Sequence, residues 1–210
     1  MMPVKDGLEL VETLKKDERT NHIPMVLLTA KATQQDKLDG LKFGADAYLM
    51  KPFDKEELLV RLEKLLETRK SLQRRYSKDF VSANTPKNQE DLFLEKLNTV
   101  LEKYYEDSEL NVKDLAKMLH LSHQQFYRKL KALTDQTPNR YLRTFRLNKA
   151  KALLIADNDL NVSEVAYEVG FDNLNYFSRV FSEAFGVSPN GCGSEGEVGL
   201  RCERTHNIFT

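Results

Sequence analysis

Apolar positions along this chain change their period near residue 90. Before it, short apolar runs alternate with helix-spaced ones. After it, every segment up to Pro189 carries helical spacing. In the first part, Asp6 to Thr20 reads as a helix, with Leu8, Val11 and Leu14 recurring every three residues. Pro24-Met25-Val26-Leu27-Leu28-Thr29-Ala30 reads as a strand buried on both faces. Residues 33–43 read as a helix stopped at Gly44. Ala47-Tyr48-Leu49-Met50 reads as a second buried strand, ended by Lys51-Pro52. Residues 54–69 read as an amphipathic helix. Asp54 is its N-cap, and Leu58, Leu59, Leu62, Leu65 and Leu66 face inward. Alternating helices and strands of this kind predict a partial doubly wound parallel α/β sheet over residues 1–69. Residues 70–90 read as a linker, because Ser82-Ala83-Asn84-Thr85-Pro86-Lys87-Asn88 has turn composition and no apolar period.

The helical part, residues 91–189, contains an internal repeat. Asn111-Val112-Lys113-Asp114-Leu115-Ala116 returns as Asn161-Val162-Ser163-Glu164-Val165-Ala166. The offset is 50 residues through Leu121 and Phe171. One residue is then added in the second copy, so that Phe126 matches Phe177, Arg128 matches Arg179 and Pro138 matches Pro189. Each copy predicts a capped short helix and a tight turn with an apolar plug (Leu121 or Phe171). A second helix then starts at Ser122 or Asp172 and is anchored on one face only. Short helix, tight turn and half-free helix make a helix-turn-helix. The chain is thus expected to end in an all-α domain with two such motifs, at 111–138 and 161–189.

Charge sharpens this picture. The net charge is zero, with 32 basic and 32 acidic residues. The distribution is uneven, however. From Ser122 to Lys151 the chain carries Arg128, Lys129, Lys131, Arg140, Arg143, Arg146, Lys149 and Lys151 against the single acid Asp135. A basic stretch coinciding with two helix-turn-helix motifs points to nucleic acid. No apolar run approaches the roughly 20 residues of a membrane span, and the N-terminus lacks the apolar core of a secretory signal. A cytoplasmic location is expected. Cys192 and Cys202 frame neither a metal spacing nor a disulfide scaffold. His120 and His123 have no third ligand nearby, so no metal site is expected and His120 reads as a helix-end residue.

Residues 91–189 resemble the C-terminal DNA-binding domain of the AraC/XylS family of transcription activators. The most specific stretches are Val165-Ala166-Tyr167-Glu168-Val169-Gly170-Phe171, Tyr176-Phe177-Ser178-Arg179-Val180-Phe181 and Phe185-Gly186-Val187-Ser188-Pro189. One departure is Asp135, where the family carries Gly at a helix end; Asp tolerates the left-handed conformation better than most residues. The outward residues early in the two recognition helices are His123, Gln124, Tyr127 and Arg128, then Asn173, Asn175, Tyr176 and Arg179. The resemblance places the base-reading positions on Gln124, Tyr127 and Arg128, and on Asn175, Tyr176 and Arg179. Arg can pair with guanine and Gln or Asn with adenine; for Arg128 and Arg179 a phosphate contact is equally open. A connecting helix from about Asn139 to Ile155 holds the two motifs apart, which implies two successive major grooves roughly 34 Å apart. Double-stranded promoter DNA is the expected partner, with RNA polymerase a further one, and there is no membrane partner.

Residues 1–69 resemble the C-terminal part of a CheY-like two-component receiver domain. The residues that carry this are Met1-Met2-Pro3-Val4-Lys5-Asp6-Gly7-Leu8-Glu9-Leu10, Pro24 to Ala30, Gly44-Ala45-Asp46-Ala47-Tyr48 and Lys51-Pro52-Phe53. The resemblance implies that Thr29 and Lys51 match the phosphoryl-binding residues and Tyr48 the aromatic switch position. The phosphoacceptor Asp would fall before residue 1, so no phosphoacceptor is expected on this chain. The acidic Mg²⁺ pocket is absent with it, and no cofactor is expected; Asp6, Asp39 and Asp46 lie away from the crevice. The chain is therefore expected to be the C-terminal end of a longer hybrid two-component regulator, not itself an enzyme. It would be the DNA-binding output of a phosphorelay. The alternative is a non-functional or protein-interaction fragment of a hybrid histidine kinase. Residues 190–210, Gly-rich and aperiodic, are expected to form a disordered tail.

Overall fold

The computed structural model describes residues 6–30, 44–78, 88–156 and 160–192. The chain divides into two compact units, an α/β unit up to Tyr76 and a helical unit from Ser77 on, with Ala132–Asp135 grouped with the first. The helix expected over 33–43 lies outside the described residues, as do 79–87 of the expected linker and 193–210 of the expected tail.

In the α/β unit, α1 spans Gly7–Lys16. It is capped by Asp6, whose carboxylate accepts from the Glu9 amide at 2.9 Å. Strands β1 (Val26–Thr29) and β2 (Ala47–Met50) pair in parallel, in register from Val26 with Ala47 to Thr29 with Met50. Asp46 fastens the entry to this pair. Its carboxylate accepts from the Met25 amide at 2.7 Å and meets Lys15 Nζ at 2.7 Å. Asp46 and Asp6 are thus occupied in building the unit.

Helix α2 spans Lys55–Lys78. Asp54 is at its start, accepting from the Glu56 amide at 3.2 Å. The helix departs from expectation in two respects. It runs nine residues past Arg69, into the segment expected as linker. Residues 70–78 contain no Gly or Pro, and Lys70, Leu72, Gln73, Arg74 and Arg75 are all good helix formers. Propensity therefore carries the helix on where the apolar period stops. Second, Leu59, Leu62 and Leu66, expected to face inward, are exposed at 46%, 39% and 58%. Among the described residues, two four-residue strands offer too little surface to cover the apolar side of a helix this long. Only Leu58 and Leu65 of the expected set are half-buried.

The helical unit contains α3 (Gln89–Tyr104), α4 (Val112–Met118), α5 (His123–Thr134), α6 (Pro138–Ala156), α7 (Val162–Glu168), α8 (Leu174–Phe185) and α9 (Pro189–Cys192). The repeat is reproduced in backbone detail. Asn111 caps α4, accepting from the amides of Lys113 and Asp114. Asn161 caps α7 in a full capping box with Glu164. Both short helices end in a Schellman motif: Leu121 N–H donates to Ala116 O and Phe171 N–H to Ala166 O, each at 2.9 Å. The left-handed residue that this motif requires is His120 (φ 55°) in one copy and Gly170 (φ 79°) in the other. At the ends of α5 and α8 the left-handed residues are Asp135 (φ 57°) and Gly186 (φ 70°). His120 and Asp135 therefore hold the helix-end conformations expected of them.

Helix α6 joins the two copies. Thr137 caps it, and Pro138 sits in its first turn, where a missing N–H costs nothing. Its apolar residues Tyr141, Leu142 and Phe145 are buried, as are Leu147, Ala150 and Leu154. The last three pack with Val165, Val169, Phe177, Phe181 and Phe185. Phe171, Phe177, Phe181 and Phe185 form a ladder with successive ring centroids 5.1, 5.6 and 4.7 Å apart. The buried Tyr141 hydroxyl donates to Asn98 Oδ1 at 3.0 Å; burial raises its pKa well above the ordinary tyrosine value. Ser188-Pro189 opens α9 as Thr137-Pro138 opens α6. Residues 190–192 of the expected disordered tail are thus helical. Cys192 is buried.

Candidate nucleic-acid interface

Helices α5 and α8 each bury one stripe and expose the other. Phe126 and Leu130 anchor α5, and Phe177 and Phe181 anchor α8, all at 1% exposure or less. In the first motif His123, Gln124, Tyr127 and Arg128 all face solvent. Ser122 and Gln125 close a reciprocal cap beneath them: the Ser122 amide donates to Gln125 Oε1 at 3.0 Å, and the Gln125 amide to Ser122 Oγ at 3.3 Å. The Ser-x-x-Gln spacing is visible in the sequence and marks the first turn of the recognition helix.

In the second motif Asn173, Asn175, Tyr176 and Arg179 are also exposed. The cap falls on Asn173 rather than on Asp172, the expected start. Asn173 Oδ1 accepts from the Tyr176 amide at 2.8 Å. Asp172 is the residue by which the second copy is longer, so the offset of 51 already holds at the cap. Asn173 is thereby committed to capping through its oxygen. The Arg179 guanidinium lies 5.5 Å from the Tyr176 ring centroid, a cation–π contact, and the Phe171 ring is 6.2 Å away.

The basic stretch is not all surface. Lys129, Arg146 and Lys151 are 1%, 9% and 7% exposed. Lys129 Nζ sits 4.5 Å over the Phe93 ring and Lys151 Nζ 5.0 Å over Phe185. Arg146 donates to the carbonyls of Tyr105 (2.9 Å) and Asp107 (2.6 Å), joining α6 to the end of α3. Burial lowers its pKa, opposed by Asp107 and Asp172. Sequence alone counts these cations as one patch. Helical phase assigns them to the interior, leaving Arg128, Lys131, Arg140, Arg143 and Lys149 on or near the surface, the last paired with Glu102 at 2.7 Å. Arg140 and Arg143, with Asn111, Thr137, Asn173 and Tyr176, line a groove of about 600 Å³. The sequence does not mark either arginine as a site residue, because their position beside Tyr176 depends on how α6 packs.

In the α/β unit, Thr29 ends β1 and Lys51 follows β2, so the parallel register brings them side by side. The Lys51 amide donates to Thr29 O at 2.7 Å. Lys51 is exposed and Thr29 half-buried, while Tyr48 lies in the interior at 7% exposure. A hydroxyl and an ammonium thus share the carboxyl edge of the strand pair, where doubly wound folds place their ligands.

Comparison with known proteins agrees with both halves. Residues 115–192 match the family model of a helix-turn-helix domain, and residues 1–63 that of the response regulator receiver domain. The two matches follow one another along the chain: a receiver segment and then an AraC-type helix-turn-helix domain. Histidine kinase P4 of Formosa agariphila is 34% identical over 193 residues, 90% of this chain and 14% of that protein. The phosphate regulon transcriptional regulatory protein PhoB of Pseudomonas aeruginosa is 47% identical over 66 residues, 31% of this chain and 29% of that protein. This chain thus spans under a third of either relative. Among solved structures, the C-terminal domain of the two-component response regulator yesN from Fusobacterium nucleatum is 29% identical. The match covers 48% of this chain and 96% of that one, with a TM-score of 0.44. No helix among the described residues is long and apolar enough to cross a membrane.

Proposed function

We propose that this chain is the sequence-specific DNA-binding output of a two-component phosphorelay regulator. It seats α5 and α8 in two successive major grooves of promoter DNA. The observation that carries this reading is the paired geometry. Two twelve-residue helices, related by the repeat, are each anchored by buried aromatic or aliphatic residues. Each presents polar, donor-rich side chains from its first two turns. His123, Gln124, Tyr127 and Arg128 form the first reading surface; Asn175, Tyr176 and Arg179 form the second, with Asn173 supporting it as cap. Arg140 and Lys131 take phosphates. Thr29 and Lys51 are what the receiver segment contributes to a phosphoryl-binding edge, and Tyr48 is its aromatic switch residue.

The test is a mobility shift and footprint on duplexes selected from random DNA. Binding is expected to weaken steeply with salt, with protection in two stretches about one helical turn apart. Protection confined to a single half-turn would overturn the two-motif reading. No shift at low salt would overturn DNA binding altogether.

A further inference from the structure

Tyr176 is held more firmly than an exposed recognition residue needs to be. It is 39% exposed, yet its amide is capped by Asn173, its ring lies against Phe171 and Arg179, and its hydroxyl meets Arg143 Nη1 at 3.2 Å. Arg143 belongs to α6, outside the motif that it touches. In the first copy the position equivalent to Tyr176 is Gln125, which is used up in the reciprocal cap with Ser122. In the second copy the amide at that position is still capped, but its side chain is held by the connecting helix.

The chemistry of this contact is directional. A guanidinium only donates hydrogen bonds, whereas a phenol can donate or accept. Beside Arg143 the Tyr176 oxygen is the acceptor, so its single hydrogen must point elsewhere, and Tyr176 lines the open groove. We propose that Arg143 is a positioning residue that fixes Tyr176 as a hydrogen-bond donor. The second motif thereby favours a base that sets an acceptor (a purine N7, guanine O6 or thymine O4) opposite the Tyr176 hydroxyl over one that sets the adenine or cytosine amino group there. This rests on the DNA-binding reading above.

The experiment uses the full chain. Its preferred duplex is selected from random DNA. Affinities of the wild type, Arg143→Ala, Arg143→Lys, Tyr176→Phe and the double variant Arg143→Ala/Tyr176→Phe are then measured. Each is tested on that duplex and on its single-base substitutions, at two salt concentrations, with helix content checked by circular dichroism. Tyr176→Phe keeps the ring and its packing, so it separates the hydroxyl from the fold. Arg143→Ala and Tyr176→Phe are each expected to lower the preference at the same base pair by about 5- to 100-fold. The double variant should fall no further than either single one, the mark of one shared interaction, and Arg143→Lys, which keeps a donor, should retain part of the preference. The proposal is overturned if Arg143→Ala weakens all sequences alike while Tyr176→Phe leaves selectivity intact. That result would make Arg143 a phosphate contact. A wild-type chain that enriches no sequence would instead overturn the DNA-binding reading itself.

Discussion

The two helix-turn-helix motifs share one backbone and differ in how the exposed side chains of their second helices are supported. Their short helices, Schellman turns and recognition helices correspond residue for residue at offsets of 50 and then 51. In the first, His123, Gln124, Tyr127 and Arg128 stand clear on an exposed face, and the cap beneath is closed by Ser122 and Gln125. In the second, Tyr176 is tied to α6 through Arg143 and Arg179 stacks on Tyr176, all above a four-ring aromatic ladder. The exposed side chains of the second motif are held by more contacts than those of the first. Rigid side chains lose less freedom on binding, so discrimination should be sharper at the second motif.

The largest effects should come from the anchors. Phe126→Ala and Phe177→Ala each remove a ring that is at most 1% exposed and should each cost about 3–5 kcal/mol in urea unfolding. Equal losses in a single transition would mean that the motifs unfold together; two separate transitions would break the comparison into independent parts. Next is the turn of the second motif. A Cβ at Gly170 would lie 2.5 Å from Tyr105 O and 3.0 Å from the Arg146 guanidinium, at φ 79°. Strain and overpacking together should make Gly170→Ala cost about 3 kcal/mol, a fall in thermal midpoint easily seen by calorimetry. The caps come third. Asn161→Ala loses a reciprocal capping box and should cost up to about 2 kcal/mol, against about 1 kcal/mol for Asn111→Ala. Equal costs by urea titration would remove this distinction between the copies. Smallest is His120→Gly, which relieves a left-handed non-Gly residue on the surface. It should gain up to about 1 kcal/mol in the same titration; a loss would mean that the imidazole supports the turn.

Much of this is legible in the amino-acid sequence. The repeat along the chain becomes the repeat in space, because Asn caps, buried Ala and plug residues act within a few positions of one another. Asp135 is readable as a left-handed helix end for the same local reason. The strands Val26–Thr29 and Ala47–Met50 follow from apolar runs bounded by Pro and Gly. Features that depend on neighbours are not legible in this way. Leu59, Leu62 and Leu66 have the spacing of an inward face, yet the two short strands among the described residues do not cover them. Lys129, Arg146 and Lys151 have the composition of a basic patch, yet helical phase turns them toward Phe93, the Tyr105 and Asp107 carbonyls, and Phe185. The cap of α8 falls one residue later than expected, on Asn173, although Asp172 is also a good cap by type.

The sequence by itself determined two recognition helices and the polar residues at their exposed starts, because local capping and helical periodicity are short-range. It also determined the Thr29 and Lys51 strand ends. Only the tertiary structure decided which cations remain on the surface, and that Arg143 reaches the Tyr176 hydroxyl. Those two residues are 33 positions apart, and no local rule can bring them together. Packing α6 against α7 and α8 does so, because burying its apolar stripe sets the direction in which its arginines point.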